Sequence, residues 1–591
     1  MILKKCVDCI FLDTRHWLKS KIDVPIKMKI QINKYSTEIK SSAEKYIIKS
    51  PYNIEIPKKT YTELIWERYN KWKNHEAIVC GITNKKYTFT DLKEYSTIIG
   101  KCLVNEGLCG GDVLAIVLPN SPEYISIILG ASGRGLTICS INHLYTPDEI
   151  SHQIMNSGAK KIITYPEKVQ DVMKAVDNLK AAKCLPPNFK ILSIRVDEKS
   201  STNLPKDIIS LNDLVNRSAV TNSPKIVPSI IADESLAFIS HSSGTTGLPK
   251  GVCLTHKNVV ASILQMMEKH TTFFKETNDN HQDVIPIFLP IFHNYALEMV
   301  LCALYNGSKI VTLPKFEERT FLSTFKQHKA TILFAVPPTI LFLGSNPSVT
   351  EEHLKYLRVI CSAAAPLGKD DIDRCLKKTP KDINIIHAYG QTEAMCCLTH
   401  TPFGHKNYTS VGKALANTEL KVVDLLTGNS KGPNEEGEIC FRGPQMSLGY
   451  LNNPEATKEA IDAEGWFHTG DVGYYDKDGF FYIVDRIKEM IKVKGFQVAP
   501  AELEHVLRSI PEIDAAGVIG IPDPRKGEVP VAFIKKKSGS SITESAIHEF
   551  LASKVAPFKL IEKYIYVESI PTSQSGKILR KELKKMYKPV N

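Results

Sequence analysis

Short apolar segments alternate with segments of helical periodicity in the first third of the chain. The clearest stretch predicts a strand at 113–118, a helix at 123–134, a strand at 138–141, a helix at 147–157 and a strand at 161–164. Strands that alternate with helices form largely parallel sheets whose faces those helices cover. The sequence therefore predicts an α/β fold, and 591 residues exceed what one ordinary core holds.

The pattern of the sequence changes near residue 485. Glycine-rich turns precede this point, and a compact order of helix, strand, strand, helix and strand follows it. We therefore expect a large N-terminal domain of helix-covered sheets and a small α+β C-terminal domain. The predicted boundaries are a basic N-terminal extension at 1–45, a large domain at 46–484, a hinge at 485–488 and a small domain at 489–591.

Three local predictions accompany this organisation. A Gly-Ile-Thr-Asn turn at 81–84 between two apolar segments predicts a hairpin. Asp91 is expected to cap a helix that runs to Asn105. Residues 197–230 are polar, contain scattered prolines and are expected to form a surface excursion.

The net charge of +11 is concentrated at the two ends of the chain. Residues 1–50 carry eleven Lys and Arg against five Asp and Glu, and residues 485–591 carry nineteen against thirteen. A basic C-terminal segment suits a phosphate-rich ligand such as ATP or coenzyme A. Zinc-finger spacing, an aromatic-basic RNA signature and basic heptads are all missing from the sequence, so no nucleic-acid partner is expected.

The cysteines and the two terminal segments give expectations about the cellular location of the protein. The fourteen cysteines follow no regular framework, which is typical of a reduced, intracellular protein. Neither a secretory signal nor a C-terminal Ser-Lys-Leu is visible, so a cytoplasmic location is expected and a mitochondrial one stays open. The most apolar stretch, 285–305, is interrupted by proline, histidine and glutamate. We therefore expect no transmembrane segment, while peripheral membrane contact stays open.

The strongest local motif is Ser-Ser-Gly-Thr-Thr-Gly-Leu-Pro-Lys-Gly at 242–251. Its glycines free backbone N–H groups to meet an anion, its hydroxyls add donors, and its lysine adds positive charge. The motif differs from a P-loop, because proline precedes the lysine and glycine follows it. The predicted nucleotide-binding residues of this loop are Ser242, Ser243, Gly244, Thr245, Thr246, Gly247 and Lys250.

This string resembles the phosphate loop of the adenylate-forming superfamily, which includes acyl-CoA synthetases, 4-coumarate–CoA ligases, beetle luciferases and peptide-synthetase adenylation domains. The resemblance extends from about residue 46 to 585. Segments 120–124 (Asn-Ser-Pro-Glu-Tyr), 145–147 (Tyr-Thr-Pro) and 437–443 (Gly-Glu-Ile-Cys-Phe-Arg-Gly) look most like the 4-coumarate–CoA ligase and luciferase branch.

The resemblance implies a nucleotide site in the segments His-Ala-Tyr-Gly-Gln-Thr-Glu at 387–393 and Thr-Gly-Asp at 469–471. Tyr389 would lie against adenine, Thr392 would contact the α-phosphate, and Glu393 would hold Mg²⁺, a hard cation that prefers oxygen ligands. Asp471 would bind the ribose, with support from Arg486. The remaining residues that would line the nucleotide are Ala364, Ala388 and Gly390.

The same resemblance implies an acyl site and a mobile catalytic domain. His293, in Leu-Pro-Ile-Phe-His, would orient the carboxylate, and the acyl pocket would include His293, Tyr295, Met299 and Ala363. Lys488 would be the pivot of the hinge. Lys492 would serve the second half-reaction, and Lys494 and Gly495 would line the coenzyme A channel.

Lys577, in Gln-Ser-Gly-Lys, resembles the family's catalytic lysine. A carboxylate that attacks an α-phosphate brings two anions together, and a mobile cation that bridges them stabilises the transition state. The four residues expected to act in catalysis are therefore Lys577, His293, Lys492 and Thr392.

These features predict an acid–thiol ligase. It would activate a carboxylic acid with ATP and Mg²⁺ to give acyl-AMP and pyrophosphate, and then pass the acyl group to coenzyme A. The acid is expected to be a fatty or medium-chain acid, which we slightly prefer, or an aryl-propenoic acid. A luciferase-like enzyme that oxidises the adenylate and a non-catalytic nucleotide-binding protein on the same fold are the alternatives.

Overall fold

The computed structural model describes residues 46–196, 203–218, 231–242, 249–364, 368–493, 496–573 and 576–587. Every helix and strand named below belongs to the unit Ile48–Asn591.

The strands of the described residues are, in chain order, β1 Ile48–Lys49, β2 Glu76–Cys80, β3 Lys86–Thr88, β4 Val113–Ile116, β5 Thr137–Ser140, β6 Lys161–Thr164, β7 Lys190–Ser193, β8 Ile209–Ser210, β9 Leu236–Ser242, β10 Lys250–Thr255, β11 Val284–Ile287, β12 Lys309–Thr312, β13 Ile332–Ala335, β14 Val359–Ser362, β15 Asn384–Gly390, β16 Cys397–His400, β17 Lys413–Ala414, β18 Glu419–Val423, β19 Gly437–Arg442, β20 Phe467–Tyr475, β21 Phe481–Arg486, β22 Ile491–Val493, β23 Phe496–Val498, β24 Ile513–Asp523, β25 Gly527–Lys536 and β26 Lys563–Tyr566.

The α-helices of the described residues are α1 Tyr61–Glu67, α2 Phe89–Asn105, α3 Pro122–Ser132, α4 Pro147–Ser157, α5 Val169–Ala181, α6 Leu211–Ser218, α7 His256–Met266, α8 Asn294–Asn306, α9 Glu318–His328, α10 Pro337–Ser345, α11 Glu351–Leu354, α12 Lys369–Leu376, α13 Pro454–Ala460, α14 Pro500–Arg508, α15 Glu544–Ala552 and α16 Arg580–Met586.

The first sheet has the strand order β10-β9-β5-β4-β6-β7-β8. Its neighbouring strands are parallel except for the antiparallel pair β9 and β10. Helix α3 is buried along its whole length and packs against β5 of this sheet and β2 of the next. The predicted helix-covered parallel sheet is confirmed, and α4 and β6 have the predicted bounds.

Three further sheets complete the large domain. Strands β11-β12-β2-β3 and β13-β14-β15-β16-β17 form two mixed sheets that share one apolar core with α3 and α8. Strands β1-β18-β19-β20-β21 form an antiparallel sheet with a core of its own. The sheet β23-β22-β25-β24, with β26 beside β25, forms the small α+β domain together with α14, α15 and α16.

Two of the three local predictions need correction. The hairpin is confirmed as the antiparallel pair β2 and β3. The cap of α2 was predicted one turn too late: Thr88 is the N-cap, and the Asp91 carboxylate accepts from its N–H at 2.9 Å in a capping box. Within the expected surface excursion, residues 209–218 form β8 and α6 at the edge of the first sheet, and Leu211 is fully buried. Residues 197–202 and 219–230 lie outside the described residues.

Two structural facts bear on the remaining sequence expectations. Asp485 and Arg486, the first half of the predicted hinge, belong to strand β21 and pair with β20. Within the described residues, no helix combines the length and apolar character that a membrane crossing requires.

A buried ion pair fixes the junction of the second and third sheets. Asp283 is fully buried just before β11, and the Arg358 guanidinium, just before β14, donates to it at 3.0 and 2.5 Å. The hydroxyl of Thr331 and the N–H of Lys275 donate to the same carboxylate at 2.9 Å each. The Asp283 carboxylate is therefore met by one permanent cation, by two neutral donors and by the His281 ring, whose Nε2 lies 3.1 Å from Oδ1.

We expect Arg358→Met to destabilise the large domain by about 3–5 kcal/mol, because it leaves the Asp283 charge buried without its cation. Differential scanning calorimetry would show the loss as a lower melting temperature. Arg319→Met, a change at an exposed position, is the matched control and should leave the melting temperature within about a degree. Equal melting temperatures for the two variants would contradict the assigned role of Arg358.

Candidate active site

The predicted phosphate loop lies between two paired strands. Ser242 ends β9, Lys250 begins β10, and the antiparallel register places these two residues opposite each other. The two ends of the loop are therefore held side by side. The other predicted loop residues, Ser243, Gly244, Thr245, Thr246 and Gly247, lie outside the described residues.

Tyr450 connects this loop to the candidate metal ligand. The Lys250 Nζ lies 4.8 Å from the centre of the Tyr450 ring, and the Tyr450 hydroxyl donates to Glu393 Oε1 at 2.9 Å. Burial raises the pKa of Tyr450, and the nearby Glu393 carboxylate raises it further. The tyrosine therefore stays neutral and holds Glu393 in place by donating to it.

Glu393 is buried in the short turn Thr392–Ala394, which follows directly after β15. Among the described residues, the Tyr450 hydroxyl donates to its Oε1, and its Oε2 is available to bind a ligand. The carbonyl oxygen of Thr392 accepts from the Asn294 side chain at 3.3 Å, which joins this turn to the start of α8. A carboxylate oxygen beside bound phosphates is a suitable ligand for Mg²⁺.

Tyr389, Asp471 and Arg486 form one hydrogen-bonded group. The Tyr389 hydroxyl donates to Asp471 Oδ2 at 2.8 Å, and Arg486 Nε lies 3.2 Å from Asp471 Oδ1. The register of β20 against β21 places Asp471 directly opposite Arg486. Burial raises the pKa of Asp471, while the Arg486 guanidinium acts in the opposite direction.

Lys577 enters this group from the small domain. Burial lowers the pKa of Lys577 to about 8, and the Arg486 guanidinium acts in the same direction. The Asp471 and Glu393 carboxylates oppose this shift, so the ammonium group lies within electrostatic reach of both. The structure therefore brings a cation of the small domain within electrostatic reach of both the Asp471 group and the Glu393 turn.

A tight loop presents Lys577. Thr572 and Ile578 pair across it, and the Lys577 N–H donates to the Ser573 hydroxyl at 3.1 Å. Gly576 has a φ of 75°, and a Cβ atom there would lie 2.7 Å from Pro338 of the large domain. Only glycine fits this close approach, which seats the loop against α10.

His293 lies at the N-terminal end of α8, within electrostatic reach of Lys577. Burial lowers the pKa of His293 to about 4, and the Lys577 charge lowers it further. The segment that leads into it is fixed by Asn120, whose amide donates to the Leu289 carbonyl at 2.9 Å and accepts from the Ile291 N–H at 2.9 Å. His293 is thus neutral at pH 7 and held in position.

The residues of the predicted acyl pocket lie on α8 and at the end of β14. The Tyr295 hydroxyl donates to the Cys361 carbonyl at 2.9 Å and contacts the Ala335 carbonyl at 3.3 Å. Met299 is buried one turn later, and the Ala363 N–H donates to the Ala335 carbonyl at 3.3 Å. These residues therefore share one wall, formed by α8 and the end of the third sheet.

A separate cavity of about 630 Å³ lies beside the Lys577 loop. Aromatic rings of Phe288, Phe316 and Phe342 line one part of it, and Ser573 and Gly576 line another. Neither Tyr295 nor Met299 lines it. The cavity therefore lies apart from the wall that Tyr295 and Met299 form.

Three residues that are predicted to line the nucleotide lie in β15 or just after β14. Gly390 ends β15, and a Cβ atom there would lie 1.7 Å from the Cys396 carbonyl oxygen, so only glycine fits. Ala388 pairs with His400 in the same strand. Ala364 is exposed and has a φ of 77°, an uncommon conformation for a residue with a side chain. Such conformations are concentrated at functional sites.

Other predicted residues do not join this cluster. Lys492 is exposed on β22, and its N–H donates to Glu528 Oε2 at 2.8 Å. Lys488 is exposed in the turn after β21. Lys494 and Gly495 lie outside the described residues. The arrangement thus has Lys577 inserted and Lys492 facing solvent.

Sequence reasoning missed two residues that organise the site. Asn120 lay within a motif that carried the family resemblance but received no role. Tyr450 was not considered at all, although its backbone pairs with Val252, two residues after Lys250. Neither contact is visible in a single sequence, because Asn120 and Tyr450 act across separations of about 170 and 57 residues.

Comparison with known proteins identifies the family of the chain. Residues 65–451 match the family described as AMP-binding enzyme, and residues 502–577 match the AMP-binding enzyme C-terminal domain. The chain is 40% identical to a 4-coumarate–CoA ligase of Vanilla planifolia over 88% of this chain and 92% of the relative. It is 37% identical to 4-coumarate–CoA ligase 1 of Arabidopsis thaliana over 88% and 91%.

A solved structure shows the same architecture. The crystal structure of ATP-bound MatB from Rhodopseudomonas palustris is 27% identical, covers 90% of this chain and 99% of that chain, and superposes with a TM-score of 0.77. The family match spans more than half of the chain, and the fold resembles that of an ATP-bound relative. The chain belongs to the AMP-binding enzyme family, within the adenylate-forming superfamily.

Proposed function

We propose that this protein is an AMP-forming ligase that joins an aryl-propenoic acid to coenzyme A. The general reaction follows from the family: ATP activates a carboxylic acid as its acyl-adenylate, and the acyl group then passes to coenzyme A. The observation that carries the proposal is the position of Lys577 among Asp471, Arg486 and Glu393, with His293 beside it.

In the first step, a carboxylate oxygen attacks the α-phosphorus of ATP. The new bond joins acyl oxygen to phosphorus, and the bond from that phosphorus to the β-phosphate oxygen breaks, releasing pyrophosphate. Lys577 lies where its ammonium group reduces the repulsion between the two anions. His293 is neutral and orients the carboxylate without adding charge.

Mg²⁺ is the cation that such a reaction needs, and Glu393 is the residue that would hold it. Its buried carboxylate is oriented by the Tyr450 hydroxyl, which leaves a second oxygen for a hard cation. Bound there, Mg²⁺ would neutralise phosphate charge. Lys250, which contacts the Tyr450 ring, would add a further positive charge from the phosphate loop.

In the second step, the thiol sulfur attacks the carbonyl carbon of the adenylate, AMP leaves, and the thiol proton is released. We propose that the small domain rotates about a hinge at 485–488 with Lys488 as its pivot, so that Lys577 withdraws and the face that bears Lys492 enters. Rotation of this kind lets one site serve two reactions. The cavity beside the Lys577 loop is the approach that we propose for the thiol.

The relatives favour an aryl-propenoic acid over the fatty or medium-chain acid that the sequence slightly favoured. Both plant relatives are named as 4-coumarate–CoA ligases and are aligned over about nine tenths of their length. The direct test is thioester formation by the purified protein with ATP, Mg²⁺ and coenzyme A, across cinnamate-type acids and fatty acids of graded length. Turnover of fatty acids alone would overturn the proposed substrate class.

Two other outcomes of that assay decide between the remaining functions. Acid-dependent pyrophosphate release without a thioester would favour an adenylate-oxidising enzyme. ATP binding without pyrophosphate release from any acid would favour a non-catalytic nucleotide-binding protein.

We expect Lys577→Ala to reduce acid-dependent pyrophosphate release by about 10²–10³-fold, because one well-placed transition-state charge contributes on this scale. Thioester formation from supplied acyl-AMP should be retained, since Lys577 acts only in the first step. Both half-reactions are measured on one preparation. Lys581→Ala, at an exposed position four residues later, is the matched control and should leave both unchanged.

Lys492→Ala should give the reverse pattern, with pyrophosphate release retained and thioester formation from acyl-AMP impaired. This variant removes only an exposed side chain in the present arrangement. If either variant lowers both half-reactions equally, the proposed division between the two lysines is wrong.

The pH dependence of the first step should report Lys577. Its lowered pKa of about 8 means that the ammonium form predominates below pH 8 and is lost as the pH rises through that value. We therefore expect kcat/KM for ATP in pyrophosphate release to fall above about pH 8, since this parameter reports the free enzyme. Lys577→Arg should be slower but should lose this basic limb, because arginine stays charged. If the wild type and Lys577→Arg lose activity at the same high pH, a group other than Lys577 causes that loss.

A further inference from the structure

The strand that carries Asp471 is irregular directly before this residue. On β19, two steps lead from Glu438 to Cys440, whereas their partners on β20 lie four residues apart. The extra residues of β20 form a bulge at 468–471. A bulge bends its strand and re-aims the side chains beside it. The orientation of Asp471 therefore depends on the contacts that hold this bulge.

Glu438 binds the bulge with both of its carboxylate oxygens. Its Oε1 accepts from the Gly470 N–H at 2.9 Å, and its Oε2 accepts from His468 Nδ1 at 2.8 Å. Gly470 has a φ of 71°, a conformation that residues with a side chain seldom adopt, so the sharp turn of the bulge lies at a glycine. One mostly buried carboxylate thus ties together two residues of the bulge. No step of the proposed mechanism uses it.

The His468 ring meets Glu438 as a cation. The Cys440 sulfur, 3.5 Å from Nδ1, and the Glu438 carboxylate raise the pKa of His468 to about 10, so the ring is charged at pH 7. Its Nε2 lies 3.5 Å from Asp462 Oδ2, which supports the same charge from the other side. A hydrogen bond between a cation and a carboxylate is stronger than one between neutral groups. The contact between His468 and Glu438 is therefore suited to hold the bulge firmly.

Backbone hydrogen bonds carry this restraint to Asp471. The Asp471 N–H donates to the Thr469 hydroxyl at 3.1 Å, and that hydroxyl donates to the Ile439 carbonyl of β19 at 2.7 Å. The Gly470 carbonyl accepts from the Ile487 N–H at 2.9 Å. The residues on the N-terminal side of Asp471 are therefore held by groups on both sides of β20. Glu438 is the only charged group among those that bind the backbone of the bulge in these described contacts.

We propose that Glu438 is a positioning residue for the nucleotide: it holds the bulge so that the Asp471 carboxylate meets the ribose hydroxyls of ATP. The inference rests on the proposed function, because it takes Asp471 as the residue that binds ribose. Glu438 acts through Asp471 and takes no part in bond making or breaking. Loss of Glu438 therefore weakens the recognition of ribose and leaves the chemistry at the α-phosphorus unchanged.

The test compares two nucleotides on the full-length protein. Acid-dependent pyrophosphate release is measured with ATP and with 2′,3′-dideoxy-ATP, which lacks both ribose hydroxyls, for the wild type and for Glu438→Gln. We expect the wild type to favour ATP by about 10- to 100-fold in kcat/KM, the value of hydrogen bonds to a charged group. Glu438→Gln has one acceptor oxygen in place of two, so it should reduce this preference by about fivefold or more. The reduction should come from a higher KM for ATP, while kcat with ATP and kcat/KM for the dideoxy nucleotide stay within about twofold.

Glu436→Gln, at an exposed position two residues earlier, is the matched control and should leave the preference unchanged. A preference that survives in Glu438→Gln, or an equal loss of activity with both nucleotides, would overturn the role of Glu438.

A wild type that turns over both nucleotides equally would overturn the inference through Asp471. Absence of pyrophosphate release with any acid would overturn the proposed function itself, so the failures are distinguishable. If Glu438→Gln does not fold, Glu438→Asp keeps the charge but is one methylene shorter, and it should also lower the preference for ATP. An unchanged preference in that variant would equally reject the proposal.

Discussion

The ammonium group of Lys577 is the cation that the small domain contributes to the candidate site. Burial disfavours its charged form, and the Asp471 and Glu393 carboxylates compensate. Phosphates of ATP would add negative charge at the same place and strengthen the seating of the loop. Release of pyrophosphate removes much of that charge. In the proposed mechanism, the first reaction would therefore weaken the contact between the Lys577 loop and the site, which is a physical reason for the proposed rotation of the small domain.

The large domain meets this cation with groups that neighbouring protein side chains hold in place. Asp471 is held by Tyr389 and Arg486, and Glu393 is held by Tyr450. Donors and charges that are already oriented need no reorganisation during the reaction, which is the main source of electrostatic catalysis. Strand pairing achieves this orientation, since Asp471 and Arg486 lie opposite each other across two neighbouring strands.

Prediction from sequence succeeded where the signal is local. Helix α4 has its predicted bounds because Thr146, Pro147 and Gly158 mark both of its ends in the sequence. The prediction of the N-cap of α2 was wrong, because Thr88 and Asp91 both suit a cap and only the geometry decides between them. Sequence reasoning assigned no regular structure to 203–218, a polar and largely exposed stretch in which residues 209–218 form an edge strand and a helix through tertiary pairing. Motifs located Lys577, Asp471 and Glu393, but contacts across long separations were beyond a single sequence.

The predicted hinge is constrained more tightly than its sequence suggests. Asp485 lies in β21, and its Oδ2 accepts from the Ala501 N–H of α14 at 2.8 Å. The Arg580 guanidinium binds Glu504 at 2.8 Å and also lies within electrostatic reach of Asp485. A rotation about Lys488 would leave Asp485 with the large domain and carry α14 away, so it must break the bond to Ala501. The Arg580–Glu504 pair would move as one body, because both residues belong to the small domain. The arrangement with Lys577 inserted is thus held at two places, by Gly576 against Pro338 beside the candidate site and by Asp485 against α14 at the predicted hinge.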